Sequence, residues 1–177
     1  MGNTDITFRH AVDDDLPAIV ALLADDDIGQ QREDPSLPLA APYLKVFETI
    51  KSDPNQNLIV VEDAGGNVIG TFQLFFLAGF ARMGAWRGEI EAVRIAKQHR
   101  GSGLGQQMIE WAISQCRERD CKLVQLTMDK NRIDAHRFYE KLGFVFDKDG
   151  GNWIKDIATV NVEDFGITVV NADLIRR

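Results

Sequence analysis

The run Arg100-Gly101-Ser102-Gly103-Leu104-Gly105 sets three glycines at alternate positions behind a cationic side chain, a composition suited to wrapping an anion. Glycine has no Cβ, so backbone N–H groups can approach a ligand closely and the turn can adopt φ > 0. Ahead of the run lies an extended stretch, Gly88 to Ala96, with branched Ile90, Val93 and Ile95. Behind it, Leu104, Met108, Trp111, Ala112 and Cys116 recur at helical spacing. A strand thus passes through a glycine turn into an amphipathic helix, whose start aims N–H groups and a positive dipole end at one spot. The chemistry is the binding of a phosphate or pyrophosphate. Arg94, Lys97 and Arg100 add three cations and no carboxylate around the turn, although a solvated basic loop has the same composition. A nucleotide-hydrolysing P-loop needs Lys followed by Ser or Thr after its last glycine, where this chain has Gln106 and Gln107. The dinucleotide fingerprint needs a different glycine spacing and an earlier place in the chain.

The elements that must position this turn are legible from periodicity. Ile6 to Val12 reads as a first strand, followed by Asp13 to Asp15 as cap and first-turn carboxylates for a helix through Leu16, Ile19, Val20 and Leu23. Asp25 to Leu39 is an irregular acidic loop, and Tyr43 to Lys51 a second helix. Leu58 to Glu62 and Val68 to Leu77 form a hairpin across Gly65-Gly66-Asn67. After the glycine turn and its helix come a strand from Leu123 to Met128 and a short helix carrying Ala135, Phe138, Tyr139 and Leu142 on one face. Gly143 ends that helix, and a closing hairpin crosses Asp149-Gly150-Gly151. The order is β α α β β β α β α β β, an α/β protein with a sheet of mixed strand direction.

Composition narrows the partners. A length of 177 residues, 45% apolar and 27% charged, is that of one globular domain. A net charge of −7 argues against a nucleic-acid binder. Cys116 and Cys121 have no metal-ligand spacing and imply no disulfide framework. Cys116 falls in the apolar stripe of the long helix. No secretory signal or membrane-length apolar run is evident, so the expected location is cytoplasmic, with no membrane partner.

The run from Arg100 to Gly105 resembles the acyl-CoA pyrophosphate loop of the GNAT superfamily of N-acetyltransferases, Gln/Arg-x-x-Gly-x-Gly/Ala, which Arg100, Gly103 and Gly105 satisfy. The segment Asp134 to Phe144, containing Tyr139-Glu140-Lys141-Leu142-Gly143-Phe144, resembles the superfamily's second hallmark and stands at the family's distance downstream. The resemblance implies a mostly antiparallel central sheet with a splayed parallel strand pair and flanking helices. It implies a domain over residues 1–157, with 158–177 an extension that such domains often lack. Ile167 to Val170 in that extension is an extra strand, a loose tail or an arm toward a second copy in a homodimer.

Residue by residue, the resemblance implies that Val93, Arg94 and Ile95 contact the pantetheine arm through their main chain. Arg100, Gly101, Ser102, Gly103, Leu104, Gly105 and Gln106 would hold the pyrophosphate, and Asn131 would touch the cofactor. Tyr139 corresponds to the tyrosine that in many members protonates the departing thiolate of CoA; alone, its spacing equally describes a packing aromatic. Glu89 and Glu91 share strand parity and correspond to the neighbourhood that supplies the base in some relatives; a solvated strand face is the alternative. His136 lies off the Tyr139 face and is expected to be exposed. The implied activity is transfer of an acetyl group from acetyl-CoA, without a metal, to a primary amine of a small molecule or peptide. An acyl-CoA-binding sensor without turnover is the rival. The acidic loop from Asp25 to Asp34 suits a cationic acceptor or a solvated surface.

Overall fold

The computed structural model describes residues 6–127, 133–147 and 152–157. Its elements run β1 (Thr7–His10), α1 (Leu16–Ala24), α2 (Ala41–Ser52), β2 (Gln56–Glu62), β3 (Val68–Ala78), β4 (Trp86–Ile95), α3 (Leu104–Glu118), β5 (Leu123–Leu126), α4 (Ile133–Lys141), β6 (Val145–Asp147) and β7 (Asn152–Asp156). This is the alternation the sequence predicts. The strands form one sheet in the order β1-β2-β3-β4-β5-β7-β6, mostly antiparallel with one parallel pair. β4 and β5, joined by the crossover helix α3, are that pair. The Asp149-Gly150-Gly151 turn and the extension from 158 to 177 lie outside the described residues.

The elements divide between two compact units. The first contains residues up to 75 together with 90–110; the second contains 76–89 and the chain from 111 onward. In the first unit β1 pairs antiparallel with β2, and β2 with β3, so that Arg9, Val60 and Thr71 stand in register. Ile59, Val60 and Val61 at the centre of β2 are all buried, which requires both faces of the strand to be covered. Ala11, Leu16, Ile19, Phe47 and Val60 form one apolar cluster, with Leu23, Leu39, Leu58 and Val68 packed at its margin. Helix α2 begins two residues earlier than its apolar spacing predicts, because Pro42 fits a first helical turn, where its missing N–H costs nothing.

A polar brace ties this unit together. Arg9 donates to both carboxylate oxygens of Asp15, at 2.6 and 2.8 Å, and also pairs with Glu62. The N–H of Val12 donates to the same carboxylate at 2.7 Å. Asp15 is only 6% exposed, so this planar, two-pronged pairing is what makes burying its charge tolerable. The hydrogen bonds from Arg9 hold the Asp15 carboxyl below its ordinary value of 3.8, against the opposing effect of burial. Asp13 to Asp15 form a short 3-10 turn of their own, and Asp15, at the N-cap position of α1, makes no side-chain capping bond there.

In the second unit β7 pairs antiparallel with both β5 and β6, and Trp153, Val124 and Leu126 are almost fully buried. Cys116 and Cys121 are free and buried. The thiol of Cys116 is pushed up by its hydrogen bond with Cys121 and by burial. Among the described residues, no helix is long and apolar enough to cross a membrane.

Replacing Asp15 with Asn is expected to reduce stability at neutral pH by about 1–3 kcal/mol. Because the folded carboxyl titrates below its unfolded value, its contribution is complete above about pH 4 and disappears as pH falls through the lower folded value. Urea unfolding across this acid range should therefore show a steeper loss for the wild type than for Asp15→Asn. Parallel curves would contradict the coupling.

Candidate functional site

Strand β4 enters the first unit at Ile90, which is 1% exposed. Glu91 and Ala92 are exposed, and Val93, Arg94 and Ile95 are half-buried. Ala92 has φ +52°, a left-handed conformation that costs a residue with a Cβ roughly 1–2 kcal/mol. Such a residue breaks the two-residue alternation of a strand. The parity that relates Glu89 to Glu91 therefore does not carry on to Val93 and Ile95. Sequence reasoning missed this break, because alanine gives none of the signal that glycine would. The two glutamates also differ in setting: Glu89, counted with the second unit, is half-buried and accepts a hydrogen bond from Gln125 Nε2 at 3.3 Å, whereas Glu91 is exposed in the first.

Beyond Ile95, a single 3-10 turn over Lys97–His99 leads into the glycine run. Gly101 has φ +76° and Gly103 φ +90°, so both need the freedom that the missing Cβ provides. A Cβ on either would meet nothing within 4 Å, which leaves open space over the turn. Ser102 Oγ donates to the His99 carbonyl at 2.7 Å and accepts the N–H of Leu104 at 3.4 Å, securing the entry to α3. The helix is anchored by Leu104, Met108, Ile109 and Ala112, all buried. Gln107 N–H reaches the Gly103 carbonyl at 3.3 Å. The N–H groups of Gly105 and Gln106, in the first turn, have no acceptor within the helix. Together with the helix dipole they make the open side of this turn a place for an anion.

The charges around the turn are arranged differently from the sequence expectation. Along the chain the run has no nearby carboxylate, but the fold brings Asp25 and Asp26 to it. Arg100 donates from Nε to the Ile95 carbonyl at 3.0 Å, and from its second terminal nitrogen to Asp25 at 2.8 Å on the carboxylate and 3.2 Å on the carbonyl. Lys97 also faces Asp25, at 3.8 Å, and Arg94 Nε lies 3.8 Å from Asp26 while its Nη1 donates to the Val93 carbonyl. Arg100 thus acts as a brace between the strand end, the turn and the loop after α1. The acidic loop, which suited either a cationic acceptor or a solvated surface, has two carboxylates engaged with these cations. Glu33 is engaged too, accepting from the Tyr43 hydroxyl at 2.8 Å.

Asp26 fixes that loop by accepting from the N–H groups of Ile28 and Gly29, at 3.1 and 2.6 Å. Gly29 is buried, and a Cβ there would overlap the Leu23 carbonyl.

The remaining sequence candidates belong to the second unit. Tyr139 is 9% exposed, and its ring meets Phe138 and Phe144 edge-on, with centroids 5.0 and 5.6 Å away. His136 is half-buried, contrary to expectation, with its ring 5.1 Å from that of Trp153 and 6.5 Å from that of Phe146. Its helix face is the one covered by β6 and β7, so it belongs to an aromatic cluster. Asn131 lies outside the described residues. Among the described residues, no group of three His, Cys, Asp or Glu is placed to hold a metal ion.

Comparison with known proteins bears on the family and the fold. The model of the Acetyltransferase (GNAT) family matches residues 18–144. An aminoalkylphosphonate N-acetyltransferase from Salmonella typhimurium is 26% identical over 139 residues, covering 77% of this chain and 82% of its own. A solved structure described as a transcriptional regulator from Bacillus halodurans is 44% identical, with a TM-score of 0.77 over 80% of this chain and 93% of its own. At 24% identity, spermidine N-acetyltransferase from Vibrio cholerae, solved with CoA and spermine, shares the fold with a TM-score of 0.65 over 80% of this chain and 82% of its own.

Two glycine substitutions separate the reasons these residues are needed. Gly103→Ala meets open space and is expected to cost only its backbone angle, about 1–2 kcal/mol. Gly29→Ala forces the chain off the Leu23 carbonyl and should be the more damaging, displacing Asp25 and Asp26. Thermal unfolding of the two variants checks the order, and a reversed ranking would contradict it.

Proposed function

The chain belongs to the GNAT acetyltransferase family, and from that premise we propose that it moves an acetyl group from acetyl-CoA to a primary amine of a small molecule, by direct attack in a ternary complex. The observation that carries this reading is the glycine turn at the start of α3. Gly101 and Gly103 adopt left-handed angles beneath open space, which suits a pyrophosphate lying on backbone N–H groups. The Salmonella relative, named for acetylating aminoalkylphosphonates, supports a small amine as acceptor.

In this reading the main chain of Val93, Arg94 and Ile95 receives the pantetheine arm as if it were an added strand. Gly101 to Gln106 hold the pyrophosphate, and Arg100 keeps the turn in shape through Asp25. Asn131 completes the donor contacts. The backbone N–H of Val93 polarises the thioester carbonyl where negative charge develops. The amine nitrogen bonds to the acyl carbon as the carbon–sulfur bond breaks. Glu91, the exposed carboxylate, removes the amine proton through water, and Tyr139 supplies a proton to the departing sulfur. Glu89 is the lesser candidate for the base, because it is half-buried where Glu91 is exposed. No metal takes part. Holding the two reactants in line, rather than forming a covalent enzyme intermediate, supplies most of the acceleration.

The regulator-described relative from Bacillus halodurans supports a second reading, an acyl-CoA-binding sensor without turnover. Release of CoA thiol from acetyl-CoA across an amine panel separates the two. The enzyme reading expects turnover that falls about 100-fold or more in Tyr139→Phe and Glu91→Gln, with acetyl-CoA affinity unchanged. Gly103→Val should instead weaken acetyl-CoA binding itself. Binding without release on any amine would favour the sensor, and no binding would defeat both.

A further inference from the structure

On one side of Ala92, within the first unit, lies a cleft of about 120 Å³ that the donor chemistry does not use. Its walls are Ile19, Val20 and Leu23 of α1, Phe47 and Ile50 of α2, and Leu58 of β2. Val46, 53% exposed, also lines it, as does Ala92. Its polar members are Tyr43, Thr71 and Gln73. Each has a partner elsewhere: Thr71 Oγ1 donates to the Ile59 carbonyl at 2.8 Å, Gln73 Nε2 reaches Gln56 Oε1 at 3.4 Å, and the Tyr43 hydroxyl donates to Glu33. No Lys, Arg, Asp or Glu is among the residues that line it.

We infer that this cleft receives the body of the acceptor, and that the acceptor is a primary amine on a compact apolar group, alkyl or aryl, of roughly benzene's size. The inference rests on the acetyl-transfer reading above and refines its substrate. If the thioester carbonyl sits at the Val93 N–H, the attacking nitrogen stands next to Ala92 and the rest of its molecule extends into the cleft. Those walls offer an ionised phosphonate no cation and a second ammonium no carboxylate, and burying an unpaired charge there is strongly unfavourable. An apolar body fills the cleft with dispersion contacts and leaves the amine at its mouth. The carboxylates that would have favoured a polycation, Asp25 and Asp26, are paired with Arg100, Lys97 and Arg94. This chain therefore departs in acceptor chemistry from relatives named for an aminoalkylphosphonate and for spermidine.

The test measures acetylation of benzylamine and isopentylamine beside spermidine and aminomethylphosphonate, for the wild type and for Val46→Lys. The substitution places a charge beside the cleft on an exposed helix position, where folding is least at risk. Expected are higher kcat/KM for the two apolar amines, and a rise of about tenfold or more in their KM in Val46→Lys. The KM for acetyl-CoA should not move. Preference for spermidine or the phosphonate, or a KM for the apolar amines that ignores Val46→Lys, would overturn the inference while leaving acetyl transfer intact. Acetyl-CoA binding with no turnover on any amine would defeat the catalytic reading and this inference with it.

Discussion

A helix start can bind an anion only if its N–H groups stay open, and an open helix start tends to be filled by its own chain. Everything around residues 95–107 answers that constraint. Two left-handed glycines lead the chain into the helix, and open space lies where a Cβ on either would stand. Ser102 takes the N–H of Leu104, which faces the turn itself. Arg100 fastens the turn from outside, to the strand that leads in and to the loop after α1. The loop is in turn set by Asp26 and by the close passage of Gly29 over Leu23. The shape of the turn is thus fixed from well outside it.

Under the proposed function, this arrangement reconciles a net charge of −7 with a place for an anion. The cations near the turn are largely answered by Asp25 and Asp26, and such exposed or half-exposed pairs contribute little to stability, of order 0–1 kcal/mol each. Their use is positional. Under the proposed function, attraction for the pyrophosphate then falls to oriented backbone dipoles, which need no side-chain ordering when the ligand arrives.

What the sequence disclosed follows from how local each cause is. The glycine turn and the helix stripe of Leu104, Met108 and Ala112 are set by near neighbours and were legible, as was the end of α4 at Gly143, with φ +80°. The pairing of Asp25 with Arg100 joins residues 75 apart and has no local signature. The same holds for Arg9 and Glu62, 53 apart. Ala92 failed to show for another reason: its left-handed angle is imposed by the surrounding sheet on a residue that would not choose it. His136 was misplaced because helical spacing gives a face but not what covers it, and the cover comes from β6 and β7.

The division of the chain has a consequence for how it must fold. Neither compact unit is a continuous length of polypeptide, and β3 and β4 each pass from one unit to the other, after Phe75 and after Glu89. The first unit cannot close until residues 90–110 have been made and brought back across the intervening stretch. Completing that unit therefore depends on contacts distant in sequence, whose loop-closure entropy slows the search. During synthesis on the ribosome, one edge of β3 must wait for β4, its neighbour in the sheet, and an unpaired strand edge favours aggregation.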